Sequence, residues 1–436
     1  MNKRRRQMNA LEDGSSTMTS RGYLSGVVMA AALLVAPQAA VAAGFANTAQ
    51  SATQSGMSGV ATANPDEPAS NFYNPASMAF DEDWNIYLGA TTLIPSVDYE
   101  SLDGEFSHQT EDQVFYPPNF NLNVPISDGF ALGVGATFPW GLGIAWPDDW
   151  VGQYEFRSQD LQTFNLNPSV AMKVPAVEGL SVAAGAQFVR SSITQERAQM
   201  LPGTDDVDIV LGGTGHGIGA TLAAMYEVND EVTLGMNYRS AVRVSYDGAI
   251  HFGDAVNDTP FQHRFIDQDI TTEITMPHTL NTGVGYQLND ALWMGLDVNY
   301  MTWRTYDQVE IGFSEQSPEG ERGELEPPLM IEADWNDAVA LRLGGQYRLI
   351  PGVKVRGGFA YDMTPVPDDT VGPSLPDNDR FVFSTGVGYT QMGTGIRADL
   401  GYQFITLPTR EIRNDTVEGD YQLSSHVIGL NVGYGF

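Results

Sequence analysis

Cysteine is absent from the 436 residues, which excludes disulfides and thiolate chemistry. Basic residues are scarce, because 22 Lys and Arg stand against 54 Asp and Glu, a formal net charge of −32. So acidic a surface repels polyphosphates, and nucleic-acid partners are excluded. Charged residues make up only 17 % of the chain, whereas glycine occurs 46 times and tyrosine 18 times. This composition favours a β-rich protein with tight turns over a helical enzyme.

Beyond its N-terminal leader, the chain lacks apolar runs long enough for a spanning helix. The leader has a basic start at Lys3–Arg6, an apolar stretch at Val27–Ala36 and a small-residue cleavage motif at Ala40–Ala42. An N-terminal membrane anchor is disfavoured, because the apolar stretch is short and interrupted. The leader is long for a signal, so Met18 is an alternative start. We predict a signal peptide at residues 1–42, and membrane insertion of the mature chain would then require strands.

Alternation with a period of two residues is the dominant pattern of the remaining chain. The last eleven residues, His426–Phe436, place apolar side chains on one face and small or polar ones on the other. The pattern recurs at Ile396–Phe404, Val339–Tyr347, Leu292–Tyr300 and Val232–Tyr238. Strands of 9–11 residues suit a tilted crossing of a bilayer. The second face carries Gly, Asn, Gln and isolated Arg or Asp, which indicates an enclosed polar interior.

The connections between these strands alternate in length. Six are short turns built from Gly, Asn, Asp and Pro, and seven are long polar segments, one of them predicted at 194–213. Outward tyrosines are expected at both ends of the strands, as in the two aromatic girdles of a membrane barrel. They are Tyr238, Tyr300, Tyr361 and Tyr402 at the far end and Tyr226, Tyr286, Tyr347, Tyr389 and Tyr434 near the short turns.

These observations predict an all-β transmembrane fold for residues 83–436. The expected fold is a 14-stranded antiparallel β-barrel in the outer membrane of a Gram-negative cell, with both chain ends on the short-turn side. The terminal Phe436 resembles the C-terminal signal by which such proteins are recognised for assembly. Expected partners are therefore outer-membrane lipid, lipopolysaccharide and the barrel-assembly machinery, and we expect a monomer.

Residues 43–82 lack the period of two and are rich in Ala, Ser, Gly and Asn. One interpretation is a disordered periplasmic tail. The alternative is a small helical or irregular hatch that plugs the lumen. The stretch "FYNPASMAF" favours the hatch, because it joins an Asn-Pro turn to an apolar cluster that gains free energy when it is buried.

Seven motifs in order along the mature chain resemble the FadL family of outer-membrane channels. They are "AGF", "NPASM", "PWGLGIAWPDDWVGQYEF", "LNPSVAMKV", "MNYRSAVRVSYDG", "GFAYDMTPVPDD" and "LPDNDRFVFSTGVGY". The resemblance implies a passive channel for long-chain fatty acids or similar hydrophobic molecules. Aromatic hydrocarbons (as in TodX-like members) or alkanes are the alternative ligands. It further implies capture at extracellular loops, binding in the lumen and lateral release through an inward kink in the third strand.

The resemblance also assigns residues to these parts. The hatch residues it implies are Phe45, the acidic pair Asp66 and Glu67, and the motif Asn74, Pro75 and Ala76. The third-strand kink is expected at Gly133, Gly135 and Ala136, since glycine in a strand marks a bulge or a close approach. An ordinary glycine-rich strand is the alternative there.

A fatty-acid carboxylate needs a cation in the interior, because a buried unpaired charge is costly. The predicted ligand site contains Arg190, Phe188 and Ser192, with Arg190 and Phe188 expected to face inward. The alternative role for Arg190 is a structural partner of lumen acids. An aromatic hydrocarbon would need no such cation.

The sequence also disfavours an enzyme, a hydrophilic porin and a metal site. An outer-membrane lipase or protease is disfavoured, because the close pair Ser424 and His426 lies on a lipid-facing strand. A hydrophilic porin is disfavoured by the predicted hatch. Acidic stretches such as Thr204–Asp208 offer carboxylates to Ca²⁺, but a solvated loop is favoured. No enzyme activity, cofactor or metal site is predicted.

Overall fold

A computed structural model describes residues 44–201, 206–257, 265–314, 328–414 and 416–435. The fold is built from fourteen long strands, several of which are interrupted once. Their bounds are β1 Asn85–Glu100, β2 Pro118–Ser127, β3 Phe130–Thr137 with Gly141–Ala145, β4 Ser158–Lys173, β5 Leu180–Gln199, β6 Val207–Glu227, β7 Val232–Arg239 with Val242–Phe252, β8 Gln268–Met276 with Thr279–Asn289, β9 Leu292–Met301 with Gln308–Phe313, β10 Leu329–Glu332 with Ala338–Ile350, β11 Val353–Asp362, β12 Arg380–Thr390, β13 Ile396–Thr406 with Arg410–Ile412, and β14 Gly419–Gly435. A short strand, Ser107–Gln109, pairs with the end of β1.

The strands close into a barrel. Each strand pairs antiparallel with its neighbours along the chain, and β1 pairs with β14 from Asn85↔Gly435 to Glu100↔Asp420. The predicted 14-stranded antiparallel barrel is therefore confirmed. In the described part of the chain the first and last strands pair along the whole length of β1, and such closure is the condition for a sheet to lie in lipid.

The two faces of the wall follow the alternation in the sequence. Outward apolar side chains are exposed, for example Ile218 and Leu430, at 69 % and 59 % of their surface. Inward positions are polar and buried, as at Asn121, Asn237 and Gln187. The wall therefore presents its apolar face to lipid and its polar face to the lumen.

The four tyrosines of the far girdle each share a hydrogen bond with a neighbouring side chain. Tyr238 pairs with His278 and Tyr402 with His426, both at 2.8 Å. Tyr300 and Tyr361 donate to Asp337 and Asp379. A tyrosine at an interface has an apolar ring and a polar tip, and these bonds anchor the polar tips.

One predicted loop is wrong. The segment 194–213 was expected to be a long polar connection, but β5 and β6 pair continuously from Leu180↔Tyr226 to Gln199↔Val207. In the sequence, the alternation of apolar and polar residues stops where the outward residues become polar, and this indicated a loop. A ladder that extends beyond the lipid meets water on its outer face, so polar residues suit it equally well.

Residues 44–84, the N-terminal segment, precede the barrel. They contain helix α1 (Ala52–Ser55), helix α2 (Ser70–Tyr73) and a 3₁₀ helix at Pro75–Phe80. Of two further 3₁₀ turns, Asp254–Val256 follows β7 and Trp303–Thr305 lies in the interruption of β9. No helix in the described ranges is long and apolar enough to cross a membrane.

Candidate functional site

Inward side chains of the barrel hold the backbone of the N-terminal segment. The Asp297 carboxylate accepts hydrogen bonds from the Ala61 and Thr62 amides, both at 2.9 Å. Asn237 Nδ2 donates to the Phe72 and Tyr73 carbonyls at 3.0 and 2.8 Å. On the opposite side, Asn431 Oδ1 accepts from the Ala52 amide at 2.8 Å. The segment therefore lies inside the lumen and is tied to β7, β9 and β14.

Glycines in the wall let this segment approach closely. A Cβ added at Gly344 or at Gly358 would lie 2.6 Å from the Met57 carbonyl oxygen. No real Cβ contact is that short, so a side chain at either position would push the segment away from the wall.

The Asn74-Pro75-Ala76 motif is a tether as well as a turn. Asn74 Oδ1 accepts from the Ala76 amide at 3.1 Å and caps the 3₁₀ helix that begins at Pro75. Asn74 Nδ2 donates to the carbonyls of Thr62 at 2.7 Å and of Ala224 in β6 at 3.1 Å. One amide side chain thus joins the helix, the preceding turn and the wall.

The two residues of the acidic pair, Asp66 and Glu67, make different contacts. Glu67 is buried and accepts from Ser51 Oγ at 3.2 Å and the Ala69 amide at 3.0 Å. Burial raises the pKa of Glu67. Asp66 forms an ion pair with Lys354 Nζ of β11 at 3.0 Å, and that cation lowers the pKa of Asp66. Glu67 therefore organises the segment, and Asp66 binds it to the wall.

Phe45 lies in an aromatic cluster at the end of the lumen far from the short turns. Its ring centre is 4.6 Å from Trp303, 5.5 Å from Tyr306 and 5.6 Å from Trp335. Such contacts each stabilise by about 1 kcal/mol beyond the area that they bury. The segment is thus anchored by apolar contact at its start and by polar contacts further along.

The expected position of the kink is wrong. Gly133, Gly135 and Ala136 lie in a regular ladder with both β2 and β4. A Cβ at Gly133 would lie 2.6 Å from Asn71 Nδ2, and one at Gly135 would lie 3.0 Å from Asn71 Cβ. These glycines make room for the N-terminal segment, so close approach explains them and a bend does not.

The departure from regular pairing lies at Phe138–Trp140. Thr137 pairs with Asn165 below it, and Gly141 pairs with Gln162 above it, so three residues of β3 oppose two of β4. This is a β-bulge, and proline suits it because proline has no N–H for a ladder.

The same bulge interrupts the wall towards β2. The β2–β3 ladder ends at Phe120↔Ala136. Within the described ranges, the next backbone hydrogen bond on that side joins the Glu111 amide to the Ala145 carbonyl at 2.8 Å. Between Ala136 and Ala145 the wall therefore lacks a ladder bond to its neighbour.

The N-terminal segment satisfies the backbone groups that the bulge releases. The Asn47 amide donates to the Pro139 carbonyl at 2.7 Å, and the Gly141 amide donates to the Phe45 carbonyl at 2.9 Å. Gln50 accepts from the Phe138 amide at 2.9 Å and donates to the Phe138 carbonyl at 2.8 Å. The inward turn of β3 therefore pairs with the segment instead of with β2.

A cavity of about 160 Å³ lies in the half of the lumen that is far from the short turns. Every residue that lines it is uncharged, and aliphatic side chains are the largest group among them. Its walls include Ile193, Leu211, Ile270, Ile274, Val309 and Ile311, and glycines at 212, 213 and 248 leave the space open. A hydrocarbon chain can be buried there without desolvating a charge.

A smaller cavity, of about 40 Å³, lies between the N-terminal segment and the wall. Pro139 and Trp140 of the bulge line it, together with Phe72, Arg239 and Arg342. Arg239 is 4 % exposed, donates to Asn167 Oδ1 at 3.2 Å and Gln187 Oε1 at 2.6 Å, and its guanidinium lies 4.7 Å from the Phe72 ring centre. The cavity therefore lies between the buried guanidinium of Arg239 and the break in the wall.

The predicted ligand residues do not face the lumen. Phe188 is 46 % exposed, and Arg190 and Ser192 share its outward face, whereas Gln187 and Ser191 are buried. The prediction assigned the lumen-facing and lipid-facing residues of β5 the wrong way round. An apolar Phe188 should have been assigned to the lipid face, and that parity places Arg190 outside as well. Arg239 was missed, although it follows Thr233 and Asn237 on a polar parity.

The residues considered for catalysis or metal binding are not assembled into a site. His426 lies on the outer wall, where its ring shares a hydrogen bond with Tyr402. Within the described ranges, no group of three or more His, Asp or Glu side chains could hold a metal ion. Residues 202–205, which include part of the Thr204–Asp208 stretch, lie outside the described residues.

The family described as outer membrane protein transport protein (OMPP1/FadL/TodX) matches residues 32–436. The chain belongs to this family. The resemblance predicted from the motifs, and with it the location in the outer membrane, is therefore confirmed.

Three proteins similar to this chain are distant from it in sequence. A long-chain fatty acid transport protein of Escherichia coli O6:H1 is 23 % identical over 72 % of this chain and 76 % of its own length. A Pseudomonas aeruginosa FadL homologue has a similar structure, with a TM-score of 0.79 at 20 % identity over 90 % of this chain and 99 % of its own. The Ralstonia pickettii toluene transporter TbuX has a TM-score of 0.67 at 17 % identity, over 88 % and 98 % of the two chains.

Proposed function

We propose that this family member is a passive channel through which hydrophobic small molecules cross the outer membrane. Long-chain fatty acids are the favoured ligands, as the name of the Escherichia coli relative suggests. Aromatic hydrocarbons are the alternative, as the name of the toluene transporter suggests. The uncharged cavity of about 160 Å³ supports both, because it offers an apolar surface near the extracellular end.

In this proposal the N-terminal segment is a hatch. Its tethers at Asp66, Asn74 and Ala76, its internal bonds at Glu67 and its anchor at Phe45 support a closed axial path. The mature chain would begin after residue 42. Contacts with lipopolysaccharide and with the barrel-assembly machinery, and a monomeric state, belong to the same proposal.

Ligand would leave sideways through the break at Phe138–Trp140. Each CH₂ that stays out of water is favourable by about 0.8 kcal/mol, so a route into lipid is better than one into the periplasm. Opening a sheet in lipid normally exposes unpaired backbone groups at a cost of several kcal/mol each. Here the N-terminal segment already binds those groups of β3. The observation that carries the proposal is the three-against-two register between β3 and β4.

Deletion of Pro139 tests this route. Without that residue, Phe138 can pair with Phe164 and Trp140 with Thr163, so the register becomes continuous. In that register Trp140 would share the inward face of the buried Thr163. Phe138 is itself buried, but its ring already packs against that of Phe164, and it would share the outward face of Phe164. The deletion should straighten β3, close the break and abolish uptake of labelled oleate and toluene by intact cells.

Pro139→Ala is the matched control, since it keeps three residues opposite two and should transport normally. Heat-modifiable gel mobility would show that both variants are folded barrels. Normal uptake of oleate and toluene by the folded deletion variant would contradict lateral exit and favour passage past the hatch.

A further inference from the structure

All but one of the buried arginines in the described part of the barrel are paired with a carboxylate. Five are buried in the described part of the chain, and four form ion pairs. The pairs are Arg342 with Asp362 at 2.8 Å, Arg356 with Asp399 at 2.8 Å, Arg380 with Asp377 at 2.5 Å and Arg410 with Asp368 at 2.6 Å. Arg239 is the exception, because no described carboxylate lies within 4 Å of its nitrogens.

The partners of Arg239 are neutral. Asn167 and Gln187 each contribute one amide oxygen, and Phe72 contributes an aromatic face. A guanidinium has five N–H groups, so three remain for another acceptor. A buried charge without a counter-charge is costly, and the cost falls when an anion binds.

The size of the adjacent cavity limits what that anion can be. A water molecule needs about 10–15 Å³ of such space, so a cavity of about 40 Å³ has room for a carboxylate head group. It has no room for an eighteen-carbon chain. Trp140 and Met301 among its lining residues provide apolar surface where a chain would leave it.

We infer that Arg239 binds the carboxylate of an amphipathic ligand in the lumen. The inference rests on the proposed function and narrows it, since the preferred substrates become aliphatic monoanions and neutral hydrocarbons become secondary ones. Arg342 lines the same cavity, but its charge is already neutralised by Asp362. Arg239 is therefore the one of these two arginines whose charge is available to an anionic ligand.

Oleate and methyl oleate distinguish charge recognition from burial of the chain, because they differ only at the carboxyl group. Affinities for both would be measured with the purified full-length mature protein in a non-ionic detergent, at a pH that keeps oleate ionised. The wild type should prefer oleate by about ten-fold or more, the usual value of a charge-assisted hydrogen bond. Arg239→Met should lose this preference and keep its affinity for methyl oleate.

Arg190→Met is the matched control, because the same substitution on the outer wall removes an exposed arginine. It should retain the wild-type preference. Arg239→Lys keeps the charge without the planar fork and should retain part of it.

The outcomes separate the inference from the function on which it rests. An unchanged preference in Arg239→Met would overturn the inference, and so would a wild type that binds both ligands equally well. Equal loss of both ligands in Arg239→Met and Arg239→Lys would assign Arg239 a purely structural role. A wild type that binds neither ligand would refute the proposed function itself.

Discussion

Gln50→Ala should release the inward turn of β3. Gln50 forms two hydrogen bonds with the Phe138 backbone, one to the amide and one to the carbonyl. After the substitution, Asn47 Nδ2 still donates to the carbonyl at 3.2 Å. In the described part of the chain, the Phe138 amide would be left without an acceptor.

The size of the effect follows from these bonds. A buried amide that loses its acceptor costs about 1–3 kcal/mol, and loss of the second bond adds about 1 kcal/mol. The closed arrangement of the bulge should therefore be weakened by at least about 2 kcal/mol. This corresponds to a roughly thirty-fold higher population of the released turn.

Hydrogen–deuterium exchange of the peptide that covers residues 136–142 measures this population, since exchange of a buried amide follows local opening. The protein would be embedded in lipid nanodiscs, so that only the lumen supplies water. Gln391→Ala, in an exposed periplasmic turn, is the control and should leave the exchange unchanged. Wild-type exchange rates in Gln50→Ala would refute the idea that the N-terminal segment holds the bulge.

Two further predictions concern the N-terminal segment. Replacing residues 46–72 with a short linker should turn a closed barrel into a leaky one in planar bilayers, and equal conductance would show that the segment is no plug. Burial raises the pKa of Asp81 from 3.8 to about 7, where its carboxyl accepts from Asn123 Nδ2 at 3.2 Å. The folded state then favours the protonated carboxyl, so this contribution to stability is complete below pH 3.8 and is lost as the pH rises through 7. The melting temperature of the wild type should fall more between pH 5 and pH 8 than that of Asp81→Asn, and parallel falls would contradict the assignment.

The number of strands and the face on which each side chain lies could be predicted from the sequence, because both depend on local patterns. The alternation in β14 and in β13 assigns each side chain to lipid or lumen, and short turns count the strands. The tyrosine girdles follow from the same parity. The stretch "FYNPASMAF" indicated that the N-terminal segment would be buried, and the family resemblance named its motif residues, of which Asn74 and Asp66 contact the wall.

The position of the break could not be predicted in this way. The glycines at 133 and 135 were interpreted as a bend, but glycine also allows close approach, and only the facing Asn71 distinguishes the two cases. The bulge itself depends on a register, which is a relation between β3 and β4 that neither strand carries alone.

For Arg239, too, one property could be predicted from the sequence and another could not. The alternation in β7 is enough to assign Arg239 to the lumen, and the alternation in β5 places Arg190 on the outer wall once Phe188 is assigned to lipid. Which arginines find a counter-charge depends on the folded barrel, because the acids that neutralise them lie at least three positions away along the chain. Two of these acids are on other strands, and two are in the connection between β11 and β12. Charge compensation in a lumen depends on which side chains the closed barrel brings within 4 Å, and local sequence does not contain those distances.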